Sequence, residues 1–201
     1  MVKKDVTTNL EFKDNWPFFE RFLAGLRYLK IRKYIFSVQN PVCVDIGCGF
    51  DGRFLRSIAK HIGRGYGFDI RANERTYRNI RIINNSRFYG KLPLKDSKAD
   101  CVFMLAVLEH LPMDTPLLSE AVRVLKRGGY FILTTPAPAA KPVLEFLSYR
   151  LHLISEESIR EHQHYYTKNE LLELMKRNGC RAVACQKFQF SFNELIVGKK
   201  E

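Results

Sequence analysis

The chain has 201 residues, a length that suits one domain with a full hydrophobic core. Apolar residues make up 46% and charged residues 27%, which excludes disordered and fibrous proteins, and the formal net charge is +12. No apolar run approaches the roughly 20 residues of a membrane span, and the N-terminus lacks the layout of a signal peptide. Five cysteines do not suggest a disulfide framework. We therefore expect a cytoplasmic protein with reduced thiols.

The first predicted element is an N-terminal helical segment within residues 1–40. Asp14, Asn15 and Pro17 form a helix start signal. Apolar residues then follow at helical spacing, namely Phe19, Phe22, Leu23, Leu26, Leu29, Tyr34 and Ile35. Pro41 ends this helix, and residues 42–46 form a short β-branched run that is typical of a buried parallel strand.

Helices and strands alternate from this strand to residue 135. The predicted elements are a helix carrying Phe54, Leu55, Ile58, Ala59 and Ile62, a strand at 66–70, a helix at 71–82, a short strand at 87–89, a strand at 101–106, helical material to Leu125, and a strand at 130–135. Residues 126–129, Lys-Arg-Gly-Gly, are expected to close the helix before the last of these strands. This alternation predicts an α/β fold in which helices cover both faces of an open, mostly parallel sheet.

The C-terminal part has a different pattern. A helix at 169–176 precedes two strands, 181–190 and 192–197, which we expect to pair antiparallel at one sheet edge. Residues 136–166 form a long insertion, within which residues 143–154 are predicted as a short apolar helix. Three interpretations of that helix remain open: it packs on the core, it forms a lid over a substrate, or it faces a lipid surface.

A glycine-rich turn follows the first strand. Residues 47–52 fit the pattern G-x-G-x-x-G, and Asp69 lies 22 residues after Gly47, as in a dinucleotide-binding fingerprint. A lone match is weak, because a glycine turn also serves simply to pack a helix on a strand. Asp45 argues against a nicotinamide cofactor, since its carboxylate would lie where a pyrophosphate must bind. It suits a cofactor with a cationic end, such as S-adenosylmethionine, whose ribose hydroxyls Asp69 could bind.

Several ordered motifs resemble those of class I S-adenosylmethionine-dependent methyltransferases. Residues 42–49 look like the first motif of that family, 66–70 like its ribose strand, 92–94 with 100–104 and 107–111 like its fourth-strand block, and 120–131 like its helix into the fifth strand. The resemblance covers about residues 40–198. It implies a Rossmann-like, doubly wound, seven-stranded sheet that is mostly parallel and has a reversed last strand. It also implies that S-adenosylmethionine is the methyl donor and becomes S-adenosyl-L-homocysteine.

The resemblance also assigns the cofactor-binding residues. They are Asp45, Gly47, Cys48, Gly49, Asp69, Ile70 and Leu105. Two positions depart from the family pattern: Asp51 stands where a glycine is frequent, and residues 89–91 lack the acid that often meets the adenine amino group. The adenine is then expected to rely on backbone groups or on apolar contacts such as Ile70.

Three histidines are candidate general bases for an acceptor that must lose a proton. His110 follows the fourth strand, close to the methyl position that the resemblance implies. His162 and His164 lie in residues 161–167, just before the last helix, and would point the same way in an extended segment. We favour His164 slightly over His110, because acceptors are expected to enter at this loop. A purely structural role remains the alternative for all three.

Metal binding is not expected. Some quinone-methylating relatives use a pair like Glu109 and His110 with an upstream acid to hold a divalent ion, but Ala106 occupies that upstream place. The cysteines Cys43 with Cys48, and Cys180 with Cys185, lack zinc-knuckle spacing, so we interpret them as buried thiols.

The function that the sequence favours is O-methylation of a sugar, a glycan precursor or another small acceptor, because residues 136–166 loosely resemble methyltransferases acting on glycan precursors. One alternative is an RNA or protein methyltransferase, suggested by the net charge and by Arg71, Arg75 and Arg78 on one face of a predicted helix. Another is a cofactor-binding module without catalysis. We expect one domain over residues 1–201, with 136–166 as an acceptor-binding lid and peripheral membrane contact through 143–154 left open.

Overall fold

The structure, a computed structural model, describes residues 18–86, 90–113, 115–150 and 159–201. Within them, helices lie at Phe18–Ile35 (α1), Arg53–Ile58 (α2), Leu117–Val124 (α3), Lys141–Tyr149 (α4) and Lys168–Arg177 (α5). The strands are Val42–Ile46 (β1), Arg64–Asp69 (β2), Arg75–Tyr77 (β3), Ile80–Asn84 (β4), Ala99–Leu105 (β5), Leu125–Pro136 (β6), Cys180–Phe188 (β7) and Asn193–Lys200 (β8). The predicted N-terminal helix is confirmed as α1, while its start signal at 14–17 lies outside the described residues.

These strands form one sheet in the order β3-β4-β2-β1-β5-β6-β8-β7. Strands β4, β2, β1, β5 and β6 run parallel, and β8 lies antiparallel between β6 and β7. Without β3, this is the predicted seven-stranded sheet with a reversed last strand. The predicted fold class is therefore confirmed, with one additional strand at the edge.

Helices cover both faces of the sheet, as the strand–helix alternation predicts. On one face, Ile31 and Ile35 of α1 pack with Leu55 and Ile58 of α2 against the sheet. On the other face, α3 and α5 bury residues that include Ala121, Leu171 and Met175. Central strands covered on both sides must be apolar throughout, which explains why Val102, Phe103 and Met104 are all fully buried.

The prediction of a helix at 71–82 is wrong. Strands β3 and β4 occupy this segment and pair antiparallel through a tight turn at Arg78 and Asn79, where Arg78 has φ 52°. Asn79 stabilises the turn because its side-chain amide donates to the carbonyl groups of Ala59 and Ile62. The alternation of Arg81 with buried Ile80 and Ile82 is the strand period, which outweighed the apparent helical spacing of the arginines. The basic helix face that suggested an RNA substrate therefore does not form.

The other helices and strands differ less from the bounds that the sequence predicts. Residues 126–129 do not cap a helix but belong to β6, because α3 already ends at Val124 and the chain extends from Leu125. The short strand predicted at 87–89 lies outside the described residues, and β4 takes its place beside β2. The apolar insertion forms α4 as far as Tyr149, and residues 151–154 of the predicted helix lie outside the described residues. None of the described helices is long and apolar enough to cross a membrane.

Candidate active site

A cleft of about 750 Å³ opens where the carboxyl ends of β1, β2 and β5 meet. In open α/β sheets this edge is where ligands bind, since the turns that leave the parallel strands converge there. The cleft is lined by the first residues after these strands and by the loop before α5, namely Ile46, Gly47, Phe68, Asp69, Ile70, Arg71, Asn85, Ala106, Val107, His110, Leu111, Leu117, Arg160, Glu161 and Gln163.

The glycine turn forms one wall of the cleft and requires its glycines. Gly47 has φ 76°, and a Cβ there would lie 2.2 Å from Cγ2 of Val107. The backbone N–H groups of Gly47 and Cys48 both donate to the carbonyl of Phe68, at 2.7 and 3.1 Å, which closes the turn against β2. Asp51, the departure from the family pattern, accepts a hydrogen bond from Arg56 at 2.8 Å and so anchors the start of α2.

Asp69 lies at the centre of the cleft wall, at the end of β2. Its Oδ2 accepts from the backbone N–H of Gly49 at 2.9 Å, and its Oδ1 accepts from the backbone N–H of Arg71 at 2.8 Å. These bonds fix the carboxylate, and each oxygen keeps acceptor capacity for a further donor. The neighbouring Ile70 also lines the cleft and is 65% exposed, so it offers an apolar surface beside the carboxylate.

The other predicted cofactor residues lie behind the cleft surface. Asp45, in β1, is 2% exposed, and burial together with the nearby Asp69 raises its pKa to about 8, opposed by Arg27. Cys48 is buried, and its burial raises the pKa of the thiol. Leu105 packs against the core on the side of α1 and α2, and Gly49 acts through its bond to Asp69. The structure thus brings Gly47, Asp69 and Ile70 to the cleft surface.

Arg27 was not predicted as a site residue, although it lies near two of the acids. It belongs to α1, and its guanidinium interacts electrostatically with Glu109 and Asp45, while burial lowers its pKa. Only its place one helical turn before the apolar Ile31 could have signalled that this cation points inward.

Glu109, His110 and His162 form a compact cluster at the far side of the cleft. The rings of the two histidines meet edge to face, with 4.8 Å between their centres. The loop is held against this turn because the backbone N–H of Gln163 donates to the carbonyl of Glu109 at 2.7 Å. Nδ1 of His162 lies 2.9 Å from the hydroxyl of Tyr165. The cluster therefore joins the end of β5 to the segment before α5.

Burial sets the protonation of this cluster. Glu109 is 1% exposed, and burial raises its pKa to about 7. Burial lowers the pKa of His110, and burial with the neighbouring His110 lowers that of His162 to about 4. Both imidazoles are therefore neutral at pH 7, the form in which a histidine accepts a proton.

The same cluster is where a metal ion could bind. One ligand atom from each of Glu109, His110 and His162 lies within 4.8 Å of the others. Two imidazole nitrogens and a carboxylate suit a divalent transition metal. The prediction that the site holds no metal is not tested by this geometry and stays a prediction.

His164 lies apart from the other two histidines. Its Nε2 is 3.0 Å from Oε1 of Glu170, and its ring packs edge-on against Tyr166. Glu170 also forms a capping box with Thr167 at the start of α5. Together with His162, His164 lines a second, more polar cavity of about 520 Å³ that α4 borders through Lys141, Glu145 and Tyr149.

Comparison with known proteins agrees with this architecture. Residues 44–133 match a family model described as a methyltransferase domain. A sterol 4-C-methyltransferase of Caenorhabditis elegans is 32% identical over 104 residues, 47% of this chain and 31% of that protein. A 27-O-demethylrifamycin SV methyltransferase of Amycolatopsis mediterranei is 27% identical over 188 residues, 78% of this chain and 69% of that protein.

Solved structures show the same fold. An S-adenosylmethionine-dependent methyltransferase from Mesorhizobium loti superimposes with a TM-score of 0.64 at 17% identity, over 87% of this chain and 98% of that one.

The chain spans less than half the length of several curated relatives that it matches. The matched part is 31% of one of these proteins and 46% of another. The family match across the central strands and the glycine turn shows that residues 44–133 carry a methyltransferase domain, and the sheet order is that of the class I, Rossmann-like fold.

Proposed function

We propose that the chain is an active methyltransferase that binds S-adenosylmethionine in the cleft at the ends of β1, β2 and β5. The observation that carries this proposal is Asp69, a carboxylate fixed by two backbone N–H groups and still able to accept from two ribose hydroxyls. Ile70 beside it offers an apolar contact for the adenine, and Gly47 allows the methionine portion to approach the backbone. Asp45 lies directly before the glycine turn, and the positive ammonium and sulfonium end of the cofactor would favour the ionised form of its carboxyl when bound.

The acceptor is a hydroxyl of a small molecule, with a sugar or glycan precursor as the favoured class. The second cavity supports a small polar acceptor, since Lys141, Tyr149 and Tyr165 line it and His162 stands between it and the cleft. Relatives carry names that include sterol 4-C- and 27-O-demethylrifamycin SV methyltransferase, so the family name alone does not choose the acceptor. Residues 136–166, which contribute α4, act as the acceptor-binding lid of this single domain.

The chemistry requires little beyond positioning and removal of one proton. The sulfonium carbon is already activated, so an in-line approach of the acceptor oxygen supplies much of the rate. A sugar hydroxyl does not ionise at neutral pH, and a neutral imidazole can accept its proton as the C–O bond forms and the bond between sulfur and the methyl carbon breaks, which leaves S-adenosyl-L-homocysteine. We assign removal of that proton to His110 and His162, and the assignment is supported by His110 lining the cleft and by the contact between the two rings.

Two measurements test the proposal. S-adenosyl-L-homocysteine should raise the melting temperature, because a ligand that binds only the native state stabilises it, and NAD should not. Incubation with S-adenosylmethionine and a panel of sugars, glycan precursors, RNA and small phenols should then add one methyl group, seen by mass spectrometry, to a small hydroxyl compound. Stabilisation by NAD alone would contradict the cofactor assignment, and methylation only of RNA would contradict the acceptor class.

A further inference from the structure

Helix α1 carries large apolar side chains on two opposite faces. On the face that packs onto the sheet, Ile31 and Ile35 are fully buried. On the opposite face, which we call the outer face, Phe22, Leu29 and Phe36 are 46%, 54% and 48% exposed. A helix that covers a sheet ordinarily turns polar residues outward, so an apolar outer face indicates that a further surface covers it.

The three side chains of the outer face lie along one line. They are spaced by seven residues, nearly two helical turns, so they project from the same side of the helix. Phe36 directly follows α1 and continues its pattern, because its backbone N–H donates to the carbonyl of Arg32 at 3.0 Å. The line is about 21 Å long at 1.5 Å per residue, which is the length of a contact with an extended surface and not with a single small ligand.

The charges that border the outer face are positive. The exposed charged side chains that the structure describes in α1 are all basic, namely Lys30, Arg32 and Lys33. Beyond the C-terminal end of the helix, exposed Lys60 continues this border, and its neighbour His61 packs edge to face on Phe36 with 5.2 Å between ring centres. Phenylalanine and leucine flanked by lysine and arginine are typical of helices that lie in a membrane interface, where the cations meet lipid phosphates.

We propose that the outer face of α1 binds the surface of a membrane that contains anionic lipids. Phe22, Leu29 and Phe36 enter the headgroup region, and the basic border meets the negative charge of the lipids. A second copy of the chain is the other surface of suitable length, but it would bring the same set of cations against the first set. The net charge of +12 adds to the attraction toward an anionic surface. This inference does not depend on the proposed cofactor or acceptor.

The position of α1 keeps the cleft accessible in this arrangement. The helix ends shortly before β1 begins, at the opposite end of the strands from the cleft. Its N-terminal half contacts the β7–β8 turn, where the side-chain amide of Gln189 donates to the carbonyl of Leu23 at 2.6 Å. Phe190 in that turn is largely exposed and adds apolar surface beside the helix. We therefore expect lipid binding to leave cofactor binding unchanged.

The test is co-sedimentation of the full chain with two kinds of vesicle, phosphatidylcholine alone and phosphatidylcholine mixed with phosphatidylglycerol. The wild type should bind the mixed vesicles more tightly, and added salt should weaken that binding. Leu29→Ser should lower the affinity for mixed vesicles at least about tenfold, because a leucine side chain leaves the interface. Lys33→Gln should lower it about fivefold, the usual contribution of one cation near an anionic membrane.

Phe146→Ser is the matched control, since it removes an exposed phenylalanine from α4 and should retain full vesicle binding. Melting curves with and without S-adenosyl-L-homocysteine should be the same for Leu29→Ser, Lys33→Gln and the wild type, which shows that these variants fold. Absence of the S-adenosyl-L-homocysteine shift in the wild type would contradict the proposed function and not this inference.

Three outcomes would overturn the inference. The first is a wild type that binds mixed vesicles no better than phosphatidylcholine alone. The second is a loss of binding confined to Phe146→Ser, which would assign the lipid contact to α4. The third is a dimer in sedimentation velocity that Leu29→Ser abolishes, with no vesicle binding by the wild type, which would assign the outer face to a second copy of the chain.

Discussion

The imidazole rings of His110 and His162 touch edge to face, with 4.8 Å between their centres, although one follows β5 and the other precedes α5. The contact joins the proposed cofactor cleft to the polar cavity beside α4, because His110 lines the first and His162 lines the second. An acceptor held in the polar cavity would therefore reach the cleft past two neutral imidazoles. This arrangement leads to predictions for the histidines, for two acids and for α4.

The first prediction concerns the general base. His110→Ala or His162→Ala should lower turnover by about 10²-fold, the usual contribution of a general base, without changing affinity for S-adenosyl-L-homocysteine. His164→Ala, the residue favoured from the sequence, is the matched variant, and it removes a contact to Glu170 that stabilises the start of α5. Steady-state kinetics with thermal melts separates the two effects. A loss of turnover confined to His164→Ala would show that His164 is the general base.

The second prediction concerns the ribose site. Asp69→Ala should weaken binding of S-adenosyl-L-homocysteine at least about tenfold, because each charge-assisted hydrogen bond to a ribose hydroxyl is worth about 1.5–3 kcal/mol. Glu74→Ala, an exposed acid at the start of the β3–β4 hairpin, should leave the affinity unchanged. Isothermal calorimetry measures both. Equal affinities for wild type and Asp69→Ala would place the ribose elsewhere.

The third prediction concerns Asp45 and pH. Burial and Asp69 raise its pKa from 3.8 to about 8, so the folded chain binds a proton more tightly than the unfolded chain does. Its contribution to stability is then complete below about pH 4 and is lost as the pH rises through 8. Asp45→Asn, which stays neutral, should melt about 2–4 °C higher than the wild type at pH 8, the shift that about 1 kcal/mol gives at this chain length. The same variant should bind the cofactor more weakly, because it lacks the charge for the ammonium group.

His162 contributes with the opposite sign. Its folded pKa lies near 4 and its ordinary value is 6.5, so the unfolded chain takes up the proton first as the pH falls. Stability from this residue is complete above about pH 6.5 and is lost toward pH 4. Melting curves of His162→Ala should therefore show a weaker acid dependence than those of the wild type between these values. Identical dependence in both would mean that His162 is solvated like a free imidazole.

The fourth prediction concerns the insertion. If residues 136–166 form the acceptor-binding lid, the amides of α4 should exchange faster than those of β5 in the free chain, because loosely held segments open locally. The cofactor together with the acceptor should protect α4 more than the cofactor alone does. Exchange as slow as that of β5 in every state would assign α4 to the core.

The last prediction concerns metal. Turnover should be unchanged by a chelator such as EDTA, since neutral imidazoles suffice for proton removal. A loss of activity with EDTA that is restored by Zn²⁺ or Mn²⁺ would assign Glu109, His110 and His162 a ligand role instead.

The strands that meet at the cleft could be predicted from the sequence because each is a short run rich in apolar residues, and because a glycine follows β1 and an aspartate ends β2. Asp69 and Gly47 were found in this way, and the structure places both at the cleft surface. The helix at 71–82 was not correctly predicted, because arginines at positions 71, 75 and 78 imitate a helical face while the alternation of Ile80, Arg81 and Ile82 is the stronger signal.

Long-range contacts explain the remaining differences. His110 and His162 carry no sequence sign that they touch, since their contact depends on how the loop after α4 returns to β5. Arg27 lies outside the motifs that carry the resemblance, and its electrostatic interaction with Asp45 and Glu109 depends on how α1 packs on the sheet. The contact between His164 and Glu170 could not be predicted either, because Glu170 also accepts from the backbone N–H of Thr167 and the sequence does not show that one carboxylate serves both.

The β3–β4 hairpin, which replaces the expected helix, determines which strand edge of the sheet is exposed to solvent on this side. Strand β4 would otherwise present a long row of unpaired amides and carbonyls to solvent, an invitation for a strand from another chain to add on. The three residues of β3 pair with part of that row, so that β3 becomes the edge strand of the sheet. This strand is short and carries the charged Arg75, and both features disfavour pairing with a further strand. A deletion that shortened this hairpin would therefore be expected to show first as aggregation at high protein concentration, with the cofactor cleft still intact.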